Sequence, residues 1–284
     1  MSFDYRCFYC FSNACSKLIN QMQLSTKQAN TLTEELIDLY AKNKEVFTTP
    51  HFARELHARI KDLTGVSDPY SAIKEESNKR ILDMYASLQM EVKQSKNPFE
   101  TALRLAIAGN IIDYAISDEY NLQDTIDHVL SSEFAINDSA RLNEEITKAT
   151  KILYIGDNNG ELVFDKLFIE TINHPNLIFA VRGAAVINDV TIDDAKSVGM
   201  DTVVPIISNG YDAPSTLPDL CSDEFRMHFD TADLIISKGQ GNLEGLLNHP
   251  RSNIAFLLMI KCHVIAEKLE VNKGDFVVKM NKRN

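Results

Sequence analysis

A chain of 284 residues with 44% hydrophobic content is long enough for one large domain or two ordinary ones and supplies a sizeable core. Its formal charge of −11 argues against nucleic acid or an anionic membrane as a partner, because binding either relies on Lys and Arg neutralising phosphates. No apolar run nears the ~18 residues of a membrane span, and MSFDYRCFYC lacks the basic start and apolar centre of a signal peptide, so a cytoplasmic location is expected.

In that opening segment Cys7 and Cys10 form a CxxC. Five cysteines, an odd number, fit reduced thiols better than a disulfide framework. Tetrahedral zinc needs four ligands and no second CxxC follows. Cys262 and His263 would complete such a site only if the fold brings both regions together; the alternative is a set of buried thiols on a first helix.

Residues 26–43 place Leu32, Ile37 and Leu39 near helical spacing, and 49–64 begins with Thr49 as an expected N-cap and Pro50 at the first helical position. A further helix is expected after Asp68 and Pro69, running from 71 to 93. The stretch 98–117 (PFETALRLAIAGNIIDYAIS) is apolar almost all round and should be buried. Shorter helices are expected at 121–134 and 138–148.

At Lys151 the pattern changes. Short apolar runs at 151–156, 176–181, 201–207, 233–238, 253–260 and 275–280 now alternate with helix-like stretches. Runs without polar alternation read as strands buried on both faces, which implies a parallel sheet with helices on each side. The expected class is α/β: a three-layer α/β/α sandwich with a mainly parallel, Rossmann-like sheet, preceded by a helical N-terminal portion. The expected division is a helical portion over 1–148 and an α/β portion over 149–284, packed as one unit.

Ligands of open parallel sheets bind beyond the carboxyl ends of the strands. That edge would collect Asp157 and Asn158 from 151–156, Arg182, Asn188 and Asp189 from 176–181 and its loop, and Lys238 from 233–238. Asp157, Asn158 and Asp189 offer two carboxylates and an amide oxygen, a set suited to Mg2+ or Mn2+. Singly each also reads as a turn or cap residue. In "VINDVT" the neighbours Val186, Ile187 and Val190 argue for a buried role of Asp189, and Thr191 would cap the next helix. Asn110 and Asp113 share one face of an apolar helix, where a buried carboxylate needs a partner, a metal, a ligand or water. "SKGQGNLEG" puts Lys238 at a strand end with Gly239, Gly241 and Asn242 at a helix start, an arrangement suited to phosphate but matching neither the P-loop nor the dinucleotide fingerprint. "ILYIGDNNG" loosely resembles the first motif of Rossmann-like methyltransferases, yet Arg182 stands where their ribose-binding acid would be. No HExxH and no GxSxG occurs.

Taken together, CxxC at 7–10, "AGNIIDYA" (108–115), "GDNNGE" (156–161), "RGAAVINDVTIDDA" (182–195), "SKGQGNLEGL" and "MIKCHVIAEKLEV" (259–271) resemble the damage-control phosphatases. This is the metal-dependent family long known as a domain of unknown function and once taken for carboxyl methyltransferases; its short microbial subfamily with an N-terminal CxxC is the nearest likeness. The resemblance implies hydrolysis of phosphate monoesters of small metabolites, such as sugar phosphates or damaged phosphometabolites. It implies Asp157, Asn158 and Asp189 as ligands of a divalent ion (Mn2+, Mg2+, Co2+ or Ni2+) and as the catalytic centre. Asn110, Asp113, Glu161, Arg182, Lys238 and Asn242 are the implied substrate-binding residues. The expected chemistry is in-line attack of water with metal assistance. A methyltransferase using S-adenosylmethionine and a non-catalytic metal-binding protein are the alternatives.

Overall fold

The computed structural model describes residues 3–112 and 122–281. It opens with α1 (Tyr5–Gln21), α2 (Thr26–Asn43) and α3 (Thr49–Thr64). α2 starts at a capping box between Ser25 and Gln28. Its buried stripe is Leu32, Leu36 and Leu39, whereas Ile37, expected on that stripe, stands exposed. The N-cap of α3 is Thr48 rather than Thr49; Pro50 lies in the first turn and Gly65 closes the helix in the left-handed region. Leu18, Leu36, Phe52, Leu56 and their neighbours give these three helices a core of their own.

Next come α4 (Ser71–Leu82), α5 (Tyr85–Gln94), α6 (Pro98–Ile112) and α7 (Leu122–Ser131). The single helix expected over 71–93 is thus two. The chain turns at Asp83 and Met84, which lets Leu88 and Val92 of α5 join the core that Ile81 of α4 enters. Likewise the helix expected over 121–134 stops at Ser131, and 134–137 forms a strand.

The remaining elements are β1 (Phe134–Asn137), α8 (Ser139–Lys148), β2 (Ile152–Ile155), α9 (Asn159–Ile172), β3 (Leu177–Val181), α10 (Ile192–Ser197), β4 (Ile206–Ser208), α11 (Asp223–Thr231), β5 (Leu234–Lys238), α12 (Gly239–Leu246), β6 (Ile254–Met259), α13 (His263–Leu269) and β7 (Phe276–Met280). The run expected as a strand over 201–207 contributes only its end: Met200–Thr202 is a 3-10 turn and β4 pairs with β3 from Ile206 onward.

Seven strands form one sheet in the order β1-β7-β6-β5-β2-β3-β4. Every neighbouring pair is parallel except β6 with β7. Alternate side chains of each strand enter opposite cores, as the pleat requires. Tyr154, Phe179, Ile236 and Leu257 face the layer of α6 and α9, while Leu153, Ile155, Ile235, Phe256 and Leu258 face Phe225, Leu243 and Ile265 of α11, α12 and α13. This is the expected α/β class with a mainly parallel sheet between helical layers. Among the described residues no helix is long and apolar enough to cross a membrane.

Candidate active site at the carboxyl edge of the sheet

β2 and β3 are adjacent and parallel, so their carboxyl ends open side by side. Two loops leave there, Asp157-Asn158 into α9 and 182–190 into α10. Main-chain hydrogen bonds clip them together: Val190 N–H donates to the Asp157 carbonyl (2.8 Å) and Asn159 N–H to the Asn188 carbonyl (2.9 Å). Asn158 and Asp189 also pair as an isolated antiparallel bridge. The second loop carries Ile187 at φ +46°, a left-handed backbone that a β-branched residue adopts only when its surroundings impose it. Asp157, Asn158 and Asp189 are thereby brought together, all buried.

Arg182 holds the two acids. From a buried position its Nε donates to Asp189 Oδ2 (2.5 Å), Nη2 to Asp157 Oδ1 (3.2 Å), and Nη1 to Thr216 Oγ1 (3.1 Å) and Asn242 Oδ1 (2.9 Å). Asn242 in turn donates to the carbonyls of Gly156 (3.0 Å) and Lys238 (2.7 Å), tying the ends of β2 and β5 to α12. Burial pushes the Asp189 carboxyl up to about 7, against the pull of Arg182, and the nearby Asp157 charge adds to the rise.

A second ion cluster lies beneath the first. Lys238 donates to Glu161 Oε2 (2.5 Å), Asp165 Oδ1 (2.6 Å) and the Ala106 carbonyl (2.7 Å), and the Tyr154 hydroxyl donates to the same Asp165 oxygen (2.7 Å). All four side chains are sealed from solvent. Burial raises both acids, Glu161 to about 8, with Lys238 opposing. Burial alone would favour a neutral Lys238, but the charges of Asp165 and Glu161 outweigh it and the ammonium is strengthened. Lys238, expected to meet phosphate, thus has its hydrogen bonds directed to internal partners. Asn158 Nδ2 donates to Glu161 Oε1 (3.4 Å), which joins the two clusters.

Glycines permit this crowding at two points. A Cβ on Gly109 of α6 would fall 2.5 Å from the Glu161 Cα, so α6 and α9 cross in near contact there. Gly239, at φ +75°, lies directly against the Asp157 carboxylate. Asn110, the residue after Gly109, is placed by its backbone, and Asp113 lies outside the described residues.

Several participants carried no role in the sequence reading. Asp165 sits one helical turn beyond Glu161 on α9, and two acids four apart in the apolar first half of that helix were the signal for an internal cation. Thr216 comes from a loop with no motif. Lys261 follows β6 on the same edge as Asp157, half-buried; its charge lowers the pKa of both Glu161 and Asp189. Strand position alone pointed to it.

The CxxC lies on α1, with Cys7 half-buried and Cys10 exposed. The fold does bring the two regions together: Arg6 pairs with Glu267 of α13, and Cys262 is an electrostatic neighbour of both Cys7 and Cys10. Yet among the described residues no three His, Cys, Asp or Glu side chains are gathered so as to hold a metal ion. Asp157, Asn158 and Asp189 offer two carboxylates and an amide oxygen, a donor set that would need water or ligand oxygens to complete the shell of a divalent ion.

Residues 3–277 match the damage-control phosphatase ARMT1-like domain. The chain is 33% identical to the damage-control phosphatase PH1575 of Pyrococcus horikoshii over 99% of both chains. It is 34% identical to a damage-control phosphatase of Archaeoglobus fulgidus over 81% of this chain and 82% of that one. The crystal structure of the Pyrococcus horikoshii DUF89 family protein superposes with a TM-score of 0.90 at 32% identity, covering 99% of this chain and 100% of the other. Matched by the family model over 3–277 and a third identical to a relative along nearly its whole length, the chain belongs to the ARMT1-like damage-control phosphatase family.

Proposed function

We propose that the carboxyl edge of the sheet is a divalent-metal-dependent phosphomonoesterase centre acting on small phosphorylated metabolites, sugar phosphates among them. The observation that carries this reading is the charge balance: the carboxylates of Asp157, Glu161, Asp165 and Asp189 are buried together against Arg182 and Lys238. With Lys261 only half-buried, ionising all four leaves a negative excess that a bound cation would relieve and that protonation of Asp189 and Glu161 relieves without one. Asp157, Asn158 and Asp189 fit Mn2+, Mg2+, Co2+ or Ni2+ as oxygen donors. When bound, the ion would polarise a phosphoryl oxygen and ease formation of a nucleophilic hydroxide from water.

The chain's own residues divide the remaining tasks. Arg182 sets the spacing of Asp157 and Asp189 and restrains their like charges. Lys261 neutralises charge on the substrate phosphate, while Glu161 supports Asn158 from within the fold. Lys238 acts from below by fixing Glu161 and Asp165. Water is the proposed nucleophile, entering opposite the leaving oxygen.

The test is hydrolysis of p-nitrophenyl phosphate and a panel of sugar phosphates with each metal, with and without chelator. Turnover should require metal and vanish in Asp157→Ala and Asp189→Ala. Activity that survives both full chelation and Asp157→Ala would overturn the reading.

A further inference from the structure

Three polar residues of α4 are buried on one helical face, Lys74, Ser77 and Asn78, and two of them, Lys74 and Asn78, bond to side chains outside the helix. Asn78 reaches the start of α9 and Lys74 reaches α10, the elements that flank the Asp189 loop. Asn78 Nδ2 donates to Asn159 Oδ1 (2.9 Å). Asn159, itself buried, directs its own Nδ2 to the carbonyls of Asn188 (3.3 Å) and Asp189 (3.4 Å), beside the main-chain bond from its N–H to Asn188. Lys74 Nζ meets Asp194 Oδ2 at 2.7 Å and Asp68 Oδ2 at 2.8 Å. That Asp194 oxygen is also the capping-box acceptor for Thr191 N–H and its hydroxyl, which starts α10.

The strained Ile187 and the Asp189 that follows are therefore held at both ends from α4, through Asn159 on one side and Asp194 on the other. The chemistry of α4 favours a positioning role over a contribution to stability. A buried ammonium and a buried amide each cost more than an apolar side chain of similar size. Asn78 recovers little of that cost, since among the described residues its Oδ1 has no partner, and neither has the adjacent Ser77 hydroxyl. We propose that Asn78 and Lys74 are positioning residues of the candidate reaction, acting through Asn159 and Asp194 to hold Asp189 in register with Asp157. As a statement about catalysis this rests on the phosphatase reading; as a statement about loop placement it stands alone.

The experiment uses the full chain as wild type, Asn78→Ala, the equal-sized Asn78→Asp, Lys74→Met, Asn159→Ala and the Asn78→Ala/Asn159→Ala pair. Amide hydrogen exchange over 186–191 reads loop placement without reference to activity; Mn2+ titration and p-nitrophenyl phosphate turnover read the site. Exchange at Val190, whose N–H bridges to Asp157, should accelerate in each variant. Mn2+ affinity and kcat should fall roughly 10- to 100-fold with KM little moved, the usual effect of losing a group that orients a ligand. The pair should be no worse than Asn159→Ala alone, because Asn78 acts through Asn159. Unchanged exchange in both Asn78 variants, or fully additive losses in the pair, overturns the proposal. A wild type that neither binds Mn2+ nor turns over any ester instead overturns the phosphatase reading, and the exchange data still decide the placement.

Discussion

Gly239 lies so close to Asp157 that a Cβ built on it would sit 1.8 Å from the carboxylate Oδ2. The residue is at φ +75°, where any L side chain is strained even in open space. Gly239→Ala must therefore displace Asp157. Since a shift of about 1 Å can cost on the order of 100-fold in rate, p-nitrophenyl phosphate turnover should fall at least that far. Near wild-type turnover would show that the position of Asp157 is not critical.

Arg182 makes four side-chain hydrogen bonds, two of them to Asp157 and Asp189. Arg182→Met leaves two buried acids facing each other without a counter-charge, which should destabilise the metal-free protein by roughly 3–5 kcal/mol. Mn2+ binds the folded state and should recover part of that loss. Urea unfolding midpoints with and without Mn2+ check both statements. An unchanged midpoint in the metal-free variant would contradict the assigned role of Arg182.

His57 supplies a pH prediction away from the site. Burial on α3, helped by the charge of Lys61, lowers its pKa to about 4 from an ordinary value of 6.5. The unfolded chain thus binds a proton between pH 6.5 and 4 that the folded one refuses, so stability is lost as pH falls through that window. The loss approaches roughly 3 kcal/mol below pH 4, at about 1.4 kcal/mol per pH unit of pKa difference. His57→Phe should flatten this part of the stability profile, as followed by thermal melts at successive pH values. An acid limb of equal depth in the variant would assign the effect to other groups.

Lys261 is half-buried at the end of β6, with its charge felt by Glu161 and Asp189. Lys261→Met should raise KM for phosphate esters about tenfold or more, the value of one charge-assisted hydrogen bond. A KM that stays put while kcat alone falls would shift Lys261 from ground-state binding to the transition state.

Much of this arrangement is legible in the residues because sheet topology converts strand order into proximity. β2, β3 and β5 read as apolar runs, and the polar residues after them had to share an edge once the strands were parallel. What stayed hidden depended on partners distant in sequence. The turn at Asp83 and Met84 carries no Gly or Pro, and only the packing of α5 on α6 explains it. β1 is a short strand of FAIN whose partner lies near residue 276. The roles of Lys74, Asn78 and Thr216 could not be read from spacing, since each is defined by a hydrogen bond to another part of the chain. Lys238 shows the reverse: its position at a strand end was readable, while its engagement with Asp165 was not.

β7 is inserted between β1 and β6, and Asp138 beyond β1 accepts from the N–H of Met280, 142 residues later. During synthesis the segment 134–137 therefore leaves the ribosome without a neighbour and waits for more than a hundred residues. Until β7 arrives, both β1 and the flank of β6 present open hydrogen-bonding edges, the state in which strands are recruited by other chains. Aggregation in a cell under heat or starvation should thus strike ribosome-bound fragments that end before Phe276 harder than the finished protein.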